Sequence, residues 1–213
     1  MKKLSYLYIP VALSLIGTIM IYNRLPEEVP MHWNIHGEID SWRPRYFVLF
    51  MALLPGLFTF LLQIIPKIDP KAPNFLRHRK AYTIVSVITI IFLIGVHWTT
   101  MLYSLGIPLK IDVIIRLMLG VVFIMIGNYL PQARPNYTFG IRIPWTLADE
   151  NVWRKTHRLG GYLFVITGII ALLTVIFTLL LPKELREGMG MRISFWVIAG
   201  STIGTIAAIT IYA

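Results

Sequence analysis

Residues 81–103 read AYTIVSVITIIFLIGVHWTTMLY, twenty-three positions without a Lys, Arg, Asp or Glu. As a helix this run rises about 35 Å, enough to cross the ~30 Å hydrocarbon layer of a bilayer. Lipid offers no partner to unpaired backbone groups, so such a segment must close its hydrogen bonds within itself. A membrane β-strand would instead show ~10 residues of alternating polarity, and this run does not alternate.

Five further stretches qualify on either side of it, at 4–22, 46–65, 111–130, 159–181 and 193–212. The first follows Met1, Lys2 and Lys3, but its apolar part is too long for a secretory signal and no small-x-small cleavage site follows, so it is expected to stay attached. The longest segment between spans, 131–158, leaves no room for a separate soluble domain. The expected fold is an all-α integral membrane protein, a single membrane domain over 1–213 built as a six-transmembrane-helix bundle. Within it, 1–65 holds the first two spans with an outer loop at 23–45. Residues 81–130 hold spans three and four, and 131–213 hold an inner loop (131–158) with spans five and six.

Composition agrees. The chain is 56% hydrophobic and 14% charged, which argues against a soluble enzyme. The absence of cysteine removes disulfides, thiolate metal sites and thiol catalysis. The net charge of +10 falls between apolar runs, pointing to anionic lipid headgroups and away from direct nucleic-acid contact. Twelve Lys and Arg lie on the N-terminal side of the spans and seven on the other, with Arg116 inside one. By the cytoplasmic bias of these residues both termini face the cytoplasm, and the protein is placed in a bacterial plasma membrane. Tyr22, Tyr46, Trp98 and Tyr103 near the outer boundary, and Tyr6, Tyr82, Tyr129, Tyr162 and Tyr212 near the inner one, fit interfacial aromatic belts. Gly200 and Gly204 form a G-x-x-x-G, expected to pack inside the bundle.

The outer loop concentrates side chains suited to binding: His32, Trp33, Asn34, His36, Gly37, Glu38 and Asp40. Two prolines stiffen its entry, and Asn34 and Gly37 are residue types that can supply turn conformations with positive φ. The spacing of His32, His36, Glu38 and Asp40 matches no metal signature, so peptide recognition or helix capping is preferred over a metal site, and no cofactor is expected. Inside the bundle, His97 and Arg116 lie at a similar depth, and Asp112 precedes Arg116 by four residues, on the same helix face. Ionisable groups in a span are candidate functional residues. Together these residues form the candidate ligand site on the outer face.

In the inner loop, Thr146 followed by Asp149 reads as a helix cap with an acid at the third position. Asp149 and Glu150 sit at the positive end of that helix, and Arg154, Lys155, His157 and Arg158 toward its negative end. A short interfacial amphipathic helix is expected before the fifth span, anchored by Trp145 and Trp153.

These two segments resemble the SdpI family of membrane immunity proteins, which protect cells against a secreted sporulation-delaying-type toxic peptide. The resemblance is carried by Asn136, Gly140, Arg142, Pro144, Trp145, Thr146, Leu147, Asp149, Glu150, Trp153 and Arg154. Upstream, Pro30, His32, Trp33, Asn34, Gly37 and Asp40 match the pattern Pro-x-His-aromatic-Asn-x-x-Gly-x-x-Asp of a domain of unknown function found in the same chains. The resemblance implies resistance to a toxic peptide and, in the best-understood member, retention of a cytoplasmic autorepressor at the membrane. It makes the outer loop a candidate toxin sensor and Asn136, Gly140, Arg142, Pro144, Trp145, Thr146, Asp149, Trp153 and His157 a candidate repressor dock. The expected partners are the lipid bilayer, a secreted toxic peptide and that repressor. The rival readings are a small membrane transporter or channel passing a peptide or ion, and a metal-dependent membrane enzyme using the outer-loop histidines and acids. No Ser/His/Asp order, His-Glu-x-x-His or phosphate-binding Gly loop supports catalysis, so no enzyme activity is expected.

Overall fold

The computed structural model describes residues 4–34 and 38–213. Six helices are long and apolar enough to cross a membrane, at Leu4–Arg24, Phe47–Ile68, Arg79–Ser104, Ile111–Gln132, Glu150–Leu180 and Met191–Tyr212. Their α-helical parts are α1 (Tyr8–Ile21), α2 (Phe47–Ile68), α4 (Arg79–Ser104), α5 (Ile111–Tyr129), α7 (Glu150–Leu180) and α9 (Met191–Tyr212). Short helices α3 (Ala72–Arg77), α6 (Pro144–Ala148) and α8 (Lys183–Leu185) join them. Large apolar side chains such as Met20, Leu180 and Ile211 point outward, an inside-out surface that only lipid would cover.

Between α1 and α2 the chain forms an antiparallel hairpin, β1 (Glu28–Trp33) with β2 (Ile39–Pro44), that the sequence reading did not foresee. Glu28 faces Pro44 and Trp33 faces Ile39, with irregular register around His32. Val29 of β1 is fully buried in a cluster with Leu25, Val48 and Met101, which fixes the hairpin on the ends of α2 and α4. The Asn34 side chain donates from Nδ2 to the Glu38 carboxylate and accepts from the Glu38 N–H, each at 3.0 Å. The φ of Asn34 is not positive, contrary to expectation. His36 and Gly37 lie outside the described residues.

The tightest helix pair is α5 on α7. Gly120 and Gly127 face Gly168 and Gly161, and a Cβ on Gly127 would lie 2.6 Å from the Gly161 carbonyl. Seven-residue glycine spacing on both antiparallel helices lets the two backbones touch, since lipid supplies no hydrophobic drive and close van der Waals approach must hold the pair. The expectation for Gly200 and Gly204 is corrected: neither position has a neighbour within 4 Å of a Cβ placed there, because α9 packs on α7 through another face.

Candidate functional site

At the hairpin end, a cavity of about 480 Å³ opens among β1, α2, α4, α5 and α9. Met31, His32, Trp33 and Asn34 of the hairpin line it together with Asp112 and Arg116 of α5, so residues some eighty positions apart in sequence meet at one site. Most of the remaining lining is apolar, including Met51, Ile115, Leu119, Met191, Phe195 and Ile198. On the rim, His32 Nδ1 pairs with Asp40 at 2.5 Å, and both side chains are open to solvent. Trp33 meets the Tyr103 ring edge-on at 5.8 Å.

Arg116 is 8% exposed and occupied on every nitrogen. Its Nη2 bonds the Asp112 carboxylate and Nε donates to the Asp112 carbonyl at 3.1 Å. Nη1 crosses to α7, donating to Thr178 Oγ1 at 2.8 Å and the Thr174 carbonyl at 3.3 Å. The network continues from Thr178 to Ser194 of α9 at 2.9 Å. A cation in a span is thus neutralised within its own helix turn and used as a three-helix tie.

His97 does not join this cluster. It is buried against α1, with Nε2 at 2.8 Å from Thr18 Oγ1, and the neighbouring Trp98 donates to Ser14 Oγ at 2.8 Å. Equal depth along a helix axis placed His97 beside Arg116 in the sequence reading, but helix rotation turns it to the opposite face. Among the described residues, no three His, Asp or Glu side chains converge as metal ligands.

At the other end of the bundle the loop between α5 and α6 folds into a compact platform. Asn136 is buried, and its Oδ1 accepts from the Thr138 and Phe139 N–H groups at 2.9 and 2.6 Å while Nδ2 donates to the Arg134 and Phe139 carbonyls. Gly140 has φ +113°, a conformation open to glycine, and a side chain there would overlap His157. His157 Nε2 accepts from the Ile141 N–H at 2.9 Å, so its proton sits on Nδ1 and is donated to the Trp153 carbonyl at 2.8 Å. Trp153 stacks on His157 at 4.0 Å and donates from Nε1 to the Ala133 carbonyl.

Three sequence expectations change here. The cap of α7 is Asp149, which accepts from the Asn151 and Val152 N–H groups, and these bonds hold its carboxyl below the usual carboxylate range. Thr146 is inside α6, where its hydroxyl accepts from the Ile143 N–H at 3.0 Å. Trp153 is buried rather than an interfacial anchor, whereas Trp145 is 59% exposed. The short helix before the fifth span is α6, and residues 150–158 form the first turns of α7 itself.

Of the nine candidate docking residues, Asn136, Gly140, Thr146, Asp149, Trp153 and His157 therefore build the platform. Arg142, Pro144 and Trp145 are exposed, as is Asp149, whose carboxylate is engaged in capping α7. The Arg142 guanidinium donates to the Tyr137 carbonyl at 2.7 Å, which sets its direction.

Residues outside the sequence reading hold this platform to the first half of the chain. Asp69, buried after α2, accepts from the Tyr137 N–H at 2.9 Å, Thr138 Oγ1 at 2.8 Å and the Lys71 N–H at 2.7 Å. Asn74 donates to the Pro135 carbonyl, and His78 accepts from the Arg134 N–H while its ring stacks on Phe139. Burial, and secondarily the nearby Arg134, lowers the His78 pKa to about 4, against a smaller upward pull from Asp69. Asp69 follows a proline-containing helix end in a basic loop, and its isolation among cations was the one available signal.

Residues 132–213 match the SdpI/YfhL protein family, and residues 9–57 match a domain of unknown function, DUF1648. The chain is 33% identical over 181 residues to the immunity protein SdpI of Bacillus subtilis (strain 168), a match covering 84% of each. No solved structure matches it significantly.

Proposed function

The chain belongs to the SdpI/YfhL protein family and is a multi-pass cell membrane protein, and on that premise we propose that it gives resistance to a secreted toxic peptide. The hairpin end faces outward and meets the peptide; the platform end and both termini face the cytoplasm. One observation carries this reading: the hairpin residues Met31–Asn34 and the Asp112–Arg116 pair share one cavity, although neither segment contains the other's chemistry. The rim offers a carboxylate–imidazole pair for polar groups and the interior offers apolar surface, which suits an amphipathic peptide.

The test is survival of a sensitive host challenged with candidate secreted peptides. Wild type is expected to protect, and Trp33→Ala and His32→Ala at equal membrane levels are expected to lose protection. Full protection by both variants would remove the hairpin from the reading. Orientation is checked in the same cells with an impermeant thiol reagent, the chain being free of native cysteine. Labelling of Glu28→Cys with silence at Ala148→Cys is expected, and the reverse pattern overturns the assignment of faces.

A second activity, capture of a cytoplasmic repressor, is favoured by Arg142 and Trp145. They stand exposed beside motif residues Asn136, Thr146, Trp153 and His157, which are buried in the platform. Exposed Trp and Arg are the side chains that most often dominate binding energy at protein interfaces.

A further inference from the structure

The candidate docking face does not use every cation at the platform end. Because residues 150–158 are the first turns of α7, Lys155 and Arg158 fall on one exposed stripe with Tyr162, Ile166, Ile169 and Leu173. Steps of three and four residues keep all six on the same helix face. The stripe thus runs from two cations through an aromatic ring to bare aliphatic side chains.

Its depth follows from the length of the helix. α7 has 31 residues and rises about 46 Å, well beyond the ~30 Å of hydrocarbon. Leu180, 80% exposed, closes the apolar run at the hairpin end. About 20 residues back from it, the other edge of the hydrocarbon falls near Gly160, beside Tyr162. Lys155 and Arg158 stand about 3–8 Å beyond that edge, at the level of lipid phosphates. Among the described residues, neither forms a hydrogen bond or an ion pair. Asp149 lies in electrostatic range of Lys155, but its carboxylate is engaged by the Asn151 and Val152 N–H groups, and Arg154 turns to Asn151 Oδ1 at 2.9 Å.

Like charges one turn apart on a helix repel, so an anion shared between them is favoured, and an Arg fork matches phosphate oxygens. A soluble acidic partner has no access to Ile166, Ile169 and Leu173 at hydrocarbon depth, and a second copy of the chain would set like charges face to face. A zwitterionic headgroup would bring its own cation to the pair. We propose that this stripe holds one anionic phospholipid of the leaflet at the platform end, its phosphate between Lys155 and Arg158 and one acyl chain along Ile169 and Leu173. It needs neither the toxin nor the repressor, nor the assignment of faces, so each can fail alone.

The chain has no native cysteine, so Ile166→Cys carries a single nitrobenzoxadiazole fluorophore beside the site, in phosphatidylcholine vesicles. Its emission is titrated with phosphatidylglycerol or phosphatidylcholine bearing a nitroxide on one acyl chain. Half-quenching at a roughly tenfold lower mole fraction of the phosphatidylglycerol is expected from two cations. On the same background, the preference is expected to vanish in Lys155→Gln/Arg158→Gln and to persist in Lys67→Gln/Lys80→Gln, which removes equal charge from α2 and α4. Equal quenching by the two lipids overturns the proposal, and so does equal loss in both double variants, which would leave only a diffuse field. Recovery of emission on adding aqueous glycerol phosphate also overturns it, by assigning the cations to a soluble anion. If the α7 variant does not reach the membrane, the ratio between the two lipids and the glycerol phosphate arm decide by themselves.

Discussion

Replacing Asp112 by Asn removes the negative charge that neutralises Arg116 while keeping side-chain volume and hydrogen-bonding capacity. Arg116 is 8% exposed and ties α5 to α7 through Thr174 and Thr178, so the variant keeps the tie but strands the cation. Breaking a buried pair from one side costs about 3–5 kcal/mol in soluble proteins. The Asp112 side chain is 27% exposed, and interhelical polar contacts in membranes average well below their soluble equivalents, so about 2–3 kcal/mol is expected here. For a chain of this size that corresponds to a fall in Tm of roughly 5–10 °C. The double variant Asp112→Asn/Arg116→Met removes both charges, and is expected to recover at least half of the loss. The assay is thermal unfolding in one detergent for wild type, both single variants and the double variant. If Asp112→Asn unfolds within ~1 °C of wild type, or if the double variant is as unstable as the two single losses added together, Arg116 is not held by Asp112 and the network is misread.

Gly127→Leu should prevent α5 from closing on α7 and remove most folded protein from the membrane fraction. Gly204→Leu, facing open space, should leave yield and Tm unchanged, a contrast read directly by size-exclusion chromatography. His78 stays neutral in the folded chain down to about pH 4 but titrates near 6.5 when unfolded, so the unfolded chain binds the extra proton. Its contribution is complete above pH 6.5 and is lost as pH falls toward 4, up to about 3 kcal/mol, and His78→Gln should flatten Tm against pH across that window. Arg142→Ala and Trp145→Ala should abolish pull-down of a cytoplasmic repressor without changing toxin survival or Tm. Asn136→Ala, by contrast, should lower Tm and lose the pull-down as well.

What the sequence made legible differed between the two ends of the chain. The spans could be read because hydrocarbon imposes a length and a composition on any helix that crosses it, and that constraint is local to each run. The platform residues could be named from their motif, but not sorted. Trp153 and Trp145 are the same residue type eight positions apart, and only packing makes one a hydrogen-bonded core group and the other a surface group. The hairpin escaped because its prolines and turn residues read as an irregular loop. Its stability comes from Val29 entering a cluster made by three other segments.

His97 and the glycines show the same limit. Axial depth follows from counting residues, whereas the face a side chain presents depends on how its helix is rotated against neighbours not yet placed. Hence His97 meets Thr18 rather than Arg116, and the close backbone contact falls at Gly120–Gly168 and Gly127–Gly161 rather than at Gly200 and Gly204. By itself the sequence determined that this chain crosses a membrane six times and which family's motif it bears, because both are properties of contiguous residues. Only the tertiary structure decided that Trp33 and Arg116 share a cavity, that Asp69 anchors the platform, and which motif side chains remain outside it. Those facts depend on helix rotation and on contacts between distant segments, which no local pattern encodes.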